Sequence, residues 1–255
     1  MSQYIIDFYD NRNYRLSKRY FALSFISTIF FFIVTINDIC TMIAIIKGDI
    51  IASRKLRDTE RWLTPLKNLL AKWGSTPRDW EMVWGDFFQL EIDAPEEALR
   101  RIFEIKALIK SIKPTDRRRK ISPIDVRMAI GIGEKTYSGP RISESNGPAF
   151  IYAGEQFEAL KRENVNISIK SPWVTFDEEI NLYLKLAGTF MDNWSVSSAE
   201  LIQIVLNNER ITQEEIGRKL GIKQNSVSGR WNRANVEEML AVEELFRKKI
   251  KTHFV

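Results

Sequence analysis

From Met42 onward the chain alternates short β-branched apolar runs with longer amphipathic stretches, and that alternation limits its fold more than any other feature. Ile43 to Ile51 reads as a buried strand whose C-terminal end presents the carboxylate of Asp49. Leu56, Leu63, Leu66, Leu70 and Trp73 then recur at helical spacing, with Gly74 as the expected C-cap. Trp80 to Trp84 and Phe87 to Ile92 read as two strands about a Gly85-Asp86 turn. Pro95 stands where a helix begins, and Ala98, Ile102, Ile105, Ile109 and Ile112 place an apolar stripe along it. A strand over Val126 to Ile132, a helix over Phe150 to Leu160 and a strand over Val165 to Ile169 complete the series. The order β-α-β-β-α-β-α-β is a split βαβ arrangement with one added helix and strand. It predicts an α+β domain over residues 42–176, with helices on one face of a mixed sheet.

The remaining third of the chain changes character. Asp177 to Met191 has acidic residues in its first turn and helical periodicity, and it predicts a linking helix over 177–194. Ser197 to Leu206 makes a second helix, and the region 195–255 is expected to be all-α. Thr212 followed by Glu215 is the capping-box pattern, with Ile216 and Leu220 on one helix face, Gly221 for the turn, and a further helix from Gln224 to Ala234. In helix lengths, turn glycine and apolar positions, Thr212 to Ala234 matches a helix-turn-helix, with Gly217 at the close approach of its two helices. Between Lys223 and Ala234 there are three bases and no acid. Lys223, Gln224, Asn225, Ser226 and Ser228 suit base-edge contacts from the helix N-terminus, and Arg230 and Arg233 suit phosphate or guanine, so double-stranded DNA is the expected partner. A helical hairpin used only for protein contacts is the alternative. The last helix, with Met239, Leu240, Val242, Leu245 and Phe246, either pairs two subunits as a homodimer or packs within one chain.

Composition narrows the chemistry. One cysteine (Cys40) and one histidine (His253) exclude a disulfide framework, a Cys/His zinc site and any Ser-His or Cys-His catalytic machine built within the chain. Thirty-eight Lys and Arg against 33 Asp and Glu give a net charge of +5, a mild basic excess compatible with nucleic acid. The loop Arg117-Arg118-Arg119-Lys120 is either a phosphate contact or a solvated turn.

The first 41 residues stand apart. Tyr20 to Ile36 is an uncharged, mostly apolar run near the lower limit of ~17–25 residues for a membrane span, and Arg12, Arg15, Lys18 and Arg19 precede it. Three readings are open for residues 1–41: upstream sequence ahead of a start at Met42, a membrane anchor with basic flank in the disfavoured orientation, or an extra structured element. A chain carrying a DNA-reading module is expected in the cytoplasm.

Several landmarks carry a family resemblance. Lys47-Gly48-Asp49-Ile50, Trp84-Gly85-Asp86-Phe87-Phe88 and Val126 to Glu134 (VRMAIGIGE) resemble successive landmarks of the class III nucleotidyl cyclase fold. GDIIASRK at Gly48 to Lys55 and GPAFIYAGEQFEALK at Gly147 to Lys161 resemble the SatD family, a ferredoxin-like, cyclase-like domain followed by a C-terminal helix-turn-helix. The resemblance runs from about Met42 to the C-terminus. It implies that Asp49 and Asp86 hold Mg²⁺ on a nucleotide, in a ligand pocket flanked by Gly48, Ile50 and Gly85. Active cyclases carry an Asn and an Arg in the following helix; Ile151 and Glu155 occupy the matching positions, so a degenerate sensing domain is expected, with an active metal-dependent nucleotidyl cyclase regulated by the helix-turn-helix as the alternative. Together these readings predict a transcriptional regulator that couples a small ligand to DNA binding.

Overall fold

A computed structural model describes residues 42–116, 118–208 and 210–253. The expectations for residues 1–41 and for Arg117 lie outside the described residues. The fold is α+β, with a five-stranded mixed sheet in the order β2-β3-β1-β4-β5. The strands are β1 (Met42–Ile51), β2 (Trp80–Val83), β3 (Phe87–Ile92), β4 (Asp125–Glu134) and β5 (Ile167–Lys170). β1 is central, antiparallel to both β3 and β4, while β5 adds to β4 in parallel. Centrality explains the composition of β1: Ile43, Ala44, Ile45 and Ile46 are all buried because both faces of the strand are covered.

Helices α1 (Glu60–Leu70) and α2 (Ala98–Lys110) cover one face of the sheet. Trp62, Leu66, Leu70, Ile102 and Ile105 join Ala44, Ile46, Leu90, Met128 and Ile130 in a single core cluster. Helix α3 (Pro148–Glu163) does not join them. Its Ala149, Phe150 and Ala153 pack with Ile43 and Ile45, on the opposite face. The expectation of helices on one face therefore holds for α1 and α2 only. The reason lies in β4: a Cβ on Gly131 would stand 2.1 Å from the Ala149 carbonyl oxygen and 2.3 Å from the Ala153 nitrogen, so α3 rests directly on strand backbone at the glycines.

Two local expectations also shift. Helix α1 ends at Leu70 with Ala71 as its cap, and Gly74 instead accepts a hydrogen bond from Trp80 Nε1 at 3.0 Å. Pro95 opens a single 3₁₀ turn, Pro95–Glu97, and the α-helix begins at Ala98.

The C-terminal helices are α4 (Val174–Met191), α5 (Val196–Leu206), α6 (Gln213–Leu220), α7 (Gln224–Ala234) and α8 (Val236–Thr252). They continue the same core, since Leu184, Trp194, Leu201, Val227, Met239 and Phe246 belong to the cluster that includes α1 and α2. Met42–Val255 is accordingly one compact unit. Polar contacts stitch α5 to α2: Arg100 donates to the Leu206 carbonyl, and Gln203 Nε2 donates to the Ala107 carbonyl at 3.3 Å. Trp194 Nε1 donates to the Ala234 carbonyl at 2.9 Å, tying the end of α4 to the end of α7. The apolar face of α8 is covered within the chain through buried Met239, Phe246 and Ile250.

Candidate functional site

Two regions carry the residues singled out in the sequence. The first lies on the sheet beneath α3. Strand periodicity places Lys47 and Asp49 on one face and Gly48 and Ile50 on the other. A Cβ on Gly48 would meet Phe88 and Met128, and Ile50 is 3% exposed in the core beside them. Gly48 and Ile50 thus face away from the expected pocket. Gly85 sits at the tip of the β2–β3 hairpin at φ 89°, with nothing near the position of a Cβ. The strand pairing instead brings other groups to Asp49. Arg127 of β4 and Phe87 of β3 are its cross-strand neighbours, and an Arg127 guanidinium nitrogen lies 3.9 Å from Asp49 Oδ2.

The electrostatics of this cluster are unbalanced. Burial is the leading influence on Asp49 and raises its pKa, against the positive charges of Arg127 and Lys161 and with the help of nearby Asp86. Asp86 is held by a hydrogen bond from Ser53 Oγ at 2.9 Å. Lys47, half-buried below Gly154 of α3, is pushed down from its ordinary value by burial, and it has no hydrogen-bond or ion-pair partner among the described residues. Asp49 Oδ1 and Arg127 Nε are buried without partners. Aromatic side chains border the cluster: Phe87 packs edge-on against Phe157 with ring centroids 5.4 Å apart, and Lys161 Nζ lies 5.2 Å from the Phe157 ring centroid. Trp84, at φ 53° on the hairpin tip, is 90% exposed and 6.2 Å from Phe87 between ring centroids.

The two carboxylates expected to hold Mg²⁺, Asp49 and Asp86, share their surroundings with cations. A divalent ion on Asp49 and Asp86 meets two carboxylates, one already facing Arg127 and Lys161. Among the described residues no group of three or more His, Cys, Asp or Glu side chains converges. On α3, Ile151 and Glu155 are exposed, and Glu155 is engaged in an ion pair with Lys170 of β5. Sequence reasoning assigned no role to Lys47, Arg127 or Lys161. Lys47 had a signal, since it shares a strand face with Asp49, whereas Arg127 and Lys161 join only through non-local packing.

The second region is the helix pair α6–α7. Thr212 and Glu215 form the reciprocal capping box, and Gly221 adopts the left-handed conformation, φ 65°, that turns the chain between the helices. A Cβ on Gly217 would stand 2.8 Å from the Ile222 carbonyl oxygen, which fixes how closely the turn folds back. Val227 and Ala234 bury one side of α7. On its free side Lys223, Gln224, Asn225, Ser226 and Arg233 are exposed, and Ser228 and Arg230 are partly so. Lys223, Arg230 and Arg233 make no ion pair among the described residues. An open cleft of about 710 Å³ beside α6 is lined by Asn207, Asn208, Arg210, Arg218 and Lys219 together with Glu215, three bases to one acid. The loop at Arg118 turns on itself, with Arg118 paired to Asp116 at 3.2 Å.

Comparison with models of known protein families and with curated proteins finds no match to the chain. Among the described residues no helix is long and apolar enough to cross a membrane.

Proposed function

We propose that the protein is a cytoplasmic DNA-binding transcriptional regulator in which α6 and α7 form a helix-turn-helix and α7 enters the major groove. The observation that carries this reading is the free side of α7: exposed Lys223, Gln224, Asn225 and Ser226 at its N-terminus, with Arg230 and Arg233 along it making no ion pair among the described residues. Short polar groups at that end reach base edges, and the arginines reach phosphates. The SatD-like, cyclase-like reading of the sheet is supported by the β2-β3-β1-β4 order with α1 and α2 on one face, the ferredoxin-like arrangement. That domain serves as a sensor rather than a catalyst, because Ile151 and Glu155 stand where an active cyclase needs Asn and Arg.

Coupling between the regions follows from packing. The charged cluster and α2 lie against opposite faces of β1 and β4, and α2 carries α5. A ligand that shifts β1 therefore shifts the platform of the DNA-reading helices, and DNA must shift ligand affinity equally in return. A homodimer on two half-sites relies on surfaces other than the packed face of α8.

The test is fluorescence anisotropy of the full chain on DNA sites selected from a random pool. Specific binding is expected, with log K falling linearly against log salt. Arg230→Ala and Arg233→Ala each reduce affinity, and the salt slope drops by about 1 for each phosphate that is no longer neutralised. Failure to enrich any sequence overturns the regulator reading.

A further inference from the structure

Lys47, Asp49, Arg127 and Lys161 pose a physical problem that the DNA-reading region does not. A half-buried ammonium with no counter-ion among the described residues is costly, and so are a buried carboxylate oxygen and a buried guanidinium nitrogen without partners. All three occur within one patch of the sheet, under α3. Lys161 is paired with Glu158 at 3.4 Å, so the cationic groups left open are Lys47, with no partner among the described residues, and the Nε edge of Arg127, against one open oxygen of Asp49. Ser53 already occupies Asp86, and Arg127 already faces Asp49. The open donors of Lys47 and Arg127 outnumber the single open acceptor of Asp49, and an anion meets them where a cation does not. The patch is also reachable from solvent, since the side chains of Asp49 and Arg127 are 29% and 22% exposed.

We propose that this cluster binds a phosphoryl anion directly on Lys47 and Arg127, with no divalent ion between protein and ligand. An arginine fork and a lysine ammonium are a matched pair for phosphate: the planar guanidinium takes two oxygens, and the ammonium supplies a point charge. Gly154 is the residue of α3 over Lys47, and a Cβ there would stand 3.2 Å from the Lys47 Nζ, so the glycine leaves the ammonium room beneath the helix. Trp84 and Phe87 give the site an aromatic border, the exposed Trp84 ring being free to stack on a planar group attached to the phosphate. The source of the phosphoryl group is thus either free phosphate or a nucleotide. The inference rests on reading the sheet domain as a ligand sensor; it replaces the metal in that reading by the protein's own cations.

Isothermal titration calorimetry on the full chain separates the possibilities. Inorganic phosphate and ATP are each titrated in EDTA and in excess Mg²⁺, with succinate as a carboxylate comparison. Binding of a phosphoryl ligand in EDTA is expected, at least as tight as in Mg²⁺. Lys47→Gln weakens it about tenfold, the scale of one charge-assisted hydrogen bond; Asp49→Asn tightens it by removing a like charge. Trp84→Ala weakens ATP but not phosphate when a nucleotide is the source, and leaves both unchanged when free phosphate is. Circular dichroism of each variant establishes that it is folded, and Arg127→Lys gives a second, charge-preserving variant in which the two-oxygen fork is missing and binding also weakens. Binding that requires Mg²⁺ and disappears in Asp49→Asn overturns the proposal, as does preference for succinate or absence of phosphoryl binding in EDTA. Anisotropy on DNA, run on the same preparations, reports on the regulator reading separately, because DNA binding without anion binding sinks only the anion site.

Discussion

Two clusters of buried charge in this molecule receive opposite treatment. At the start of β4, fully buried Lys106 bonds Asp125 at 2.6 Å and also Asp192, while Lys110 bonds Asp125 at 3.2 Å and the Asp192 carbonyl at 2.6 Å. Asn166 Nδ2 completes the set by donating to Asp192 at 2.8 Å. These side chains lock α2, β4, the approach to β5 and the end of α4 together. Under α3, by contrast, Lys47 has no partner among the described residues, and Asp49 and Arg127 each keep a buried polar atom unsatisfied. The difference teaches how a chain uses buried charge. A closed network is structural, because removing one member strands the others. A cluster left open costs stability in the free protein, and a ligand that completes it recovers that cost.

The largest expected effect breaks the closed network. Lys106→Met leaves Asp125 and Asp192 short of their shared cation and should cost about 3–5 kcal/mol in urea unfolding; a cost near zero would erase the contrast. Next comes the cover over the open cluster. Gly131→Ala drives a methyl into the backbone of α3 at Ala149 and Ala153, and a loss of about 2 kcal/mol is expected in the same assay. Lys47→Met sharpens the contrast from the other side, because it removes a half-buried charge that has no partner among the described residues, and it should raise stability by on the order of 1 kcal/mol. The smallest effect is a pH slope. Burial raises Asp49, so the folded state holds that proton to higher pH than the unfolded state, and stability falls as pH climbs through the interval just above the ordinary carboxylate value. Asp49→Asn abolishes this fall, so its stability advantage over the parent, followed by thermal unfolding, should grow with pH through that interval and then level off.

Much of the fold was legible because its signals are local. The β1 apolar run, the Pro95 boundary, the capping box at Thr212 and Glu215 and the turn at Gly221 each act within a few residues, and each element stands within a few residues of its expected position. The α7 boundaries, Gln224 and Ala234, agree with the sequence pattern to the residue. The candidate site was only half legible. Asp49 and Asp86 are visible as strand-end and turn carboxylates, but Gly48 and Ile50, which the resemblance sets beside them, are strand neighbours of Asp49 on the opposite face of the sheet.

Local preferences in the sequence therefore determined where strands and helices begin, how α6 and α7 are capped and turned, and which helix carries exposed bases without acids. Tertiary structure alone decided that α3 crosses to the other face of the sheet, that Arg127 stands across from Asp49, and that Lys106 finds two carboxylates while Lys47 finds none among the described residues. The physical reason is the range of the interactions. Caps and periodicity are set by neighbours three or four residues away, whereas the partner of a buried charge is set by strand register and by the face on which a helix lands, and both of these depend on distant parts of the chain.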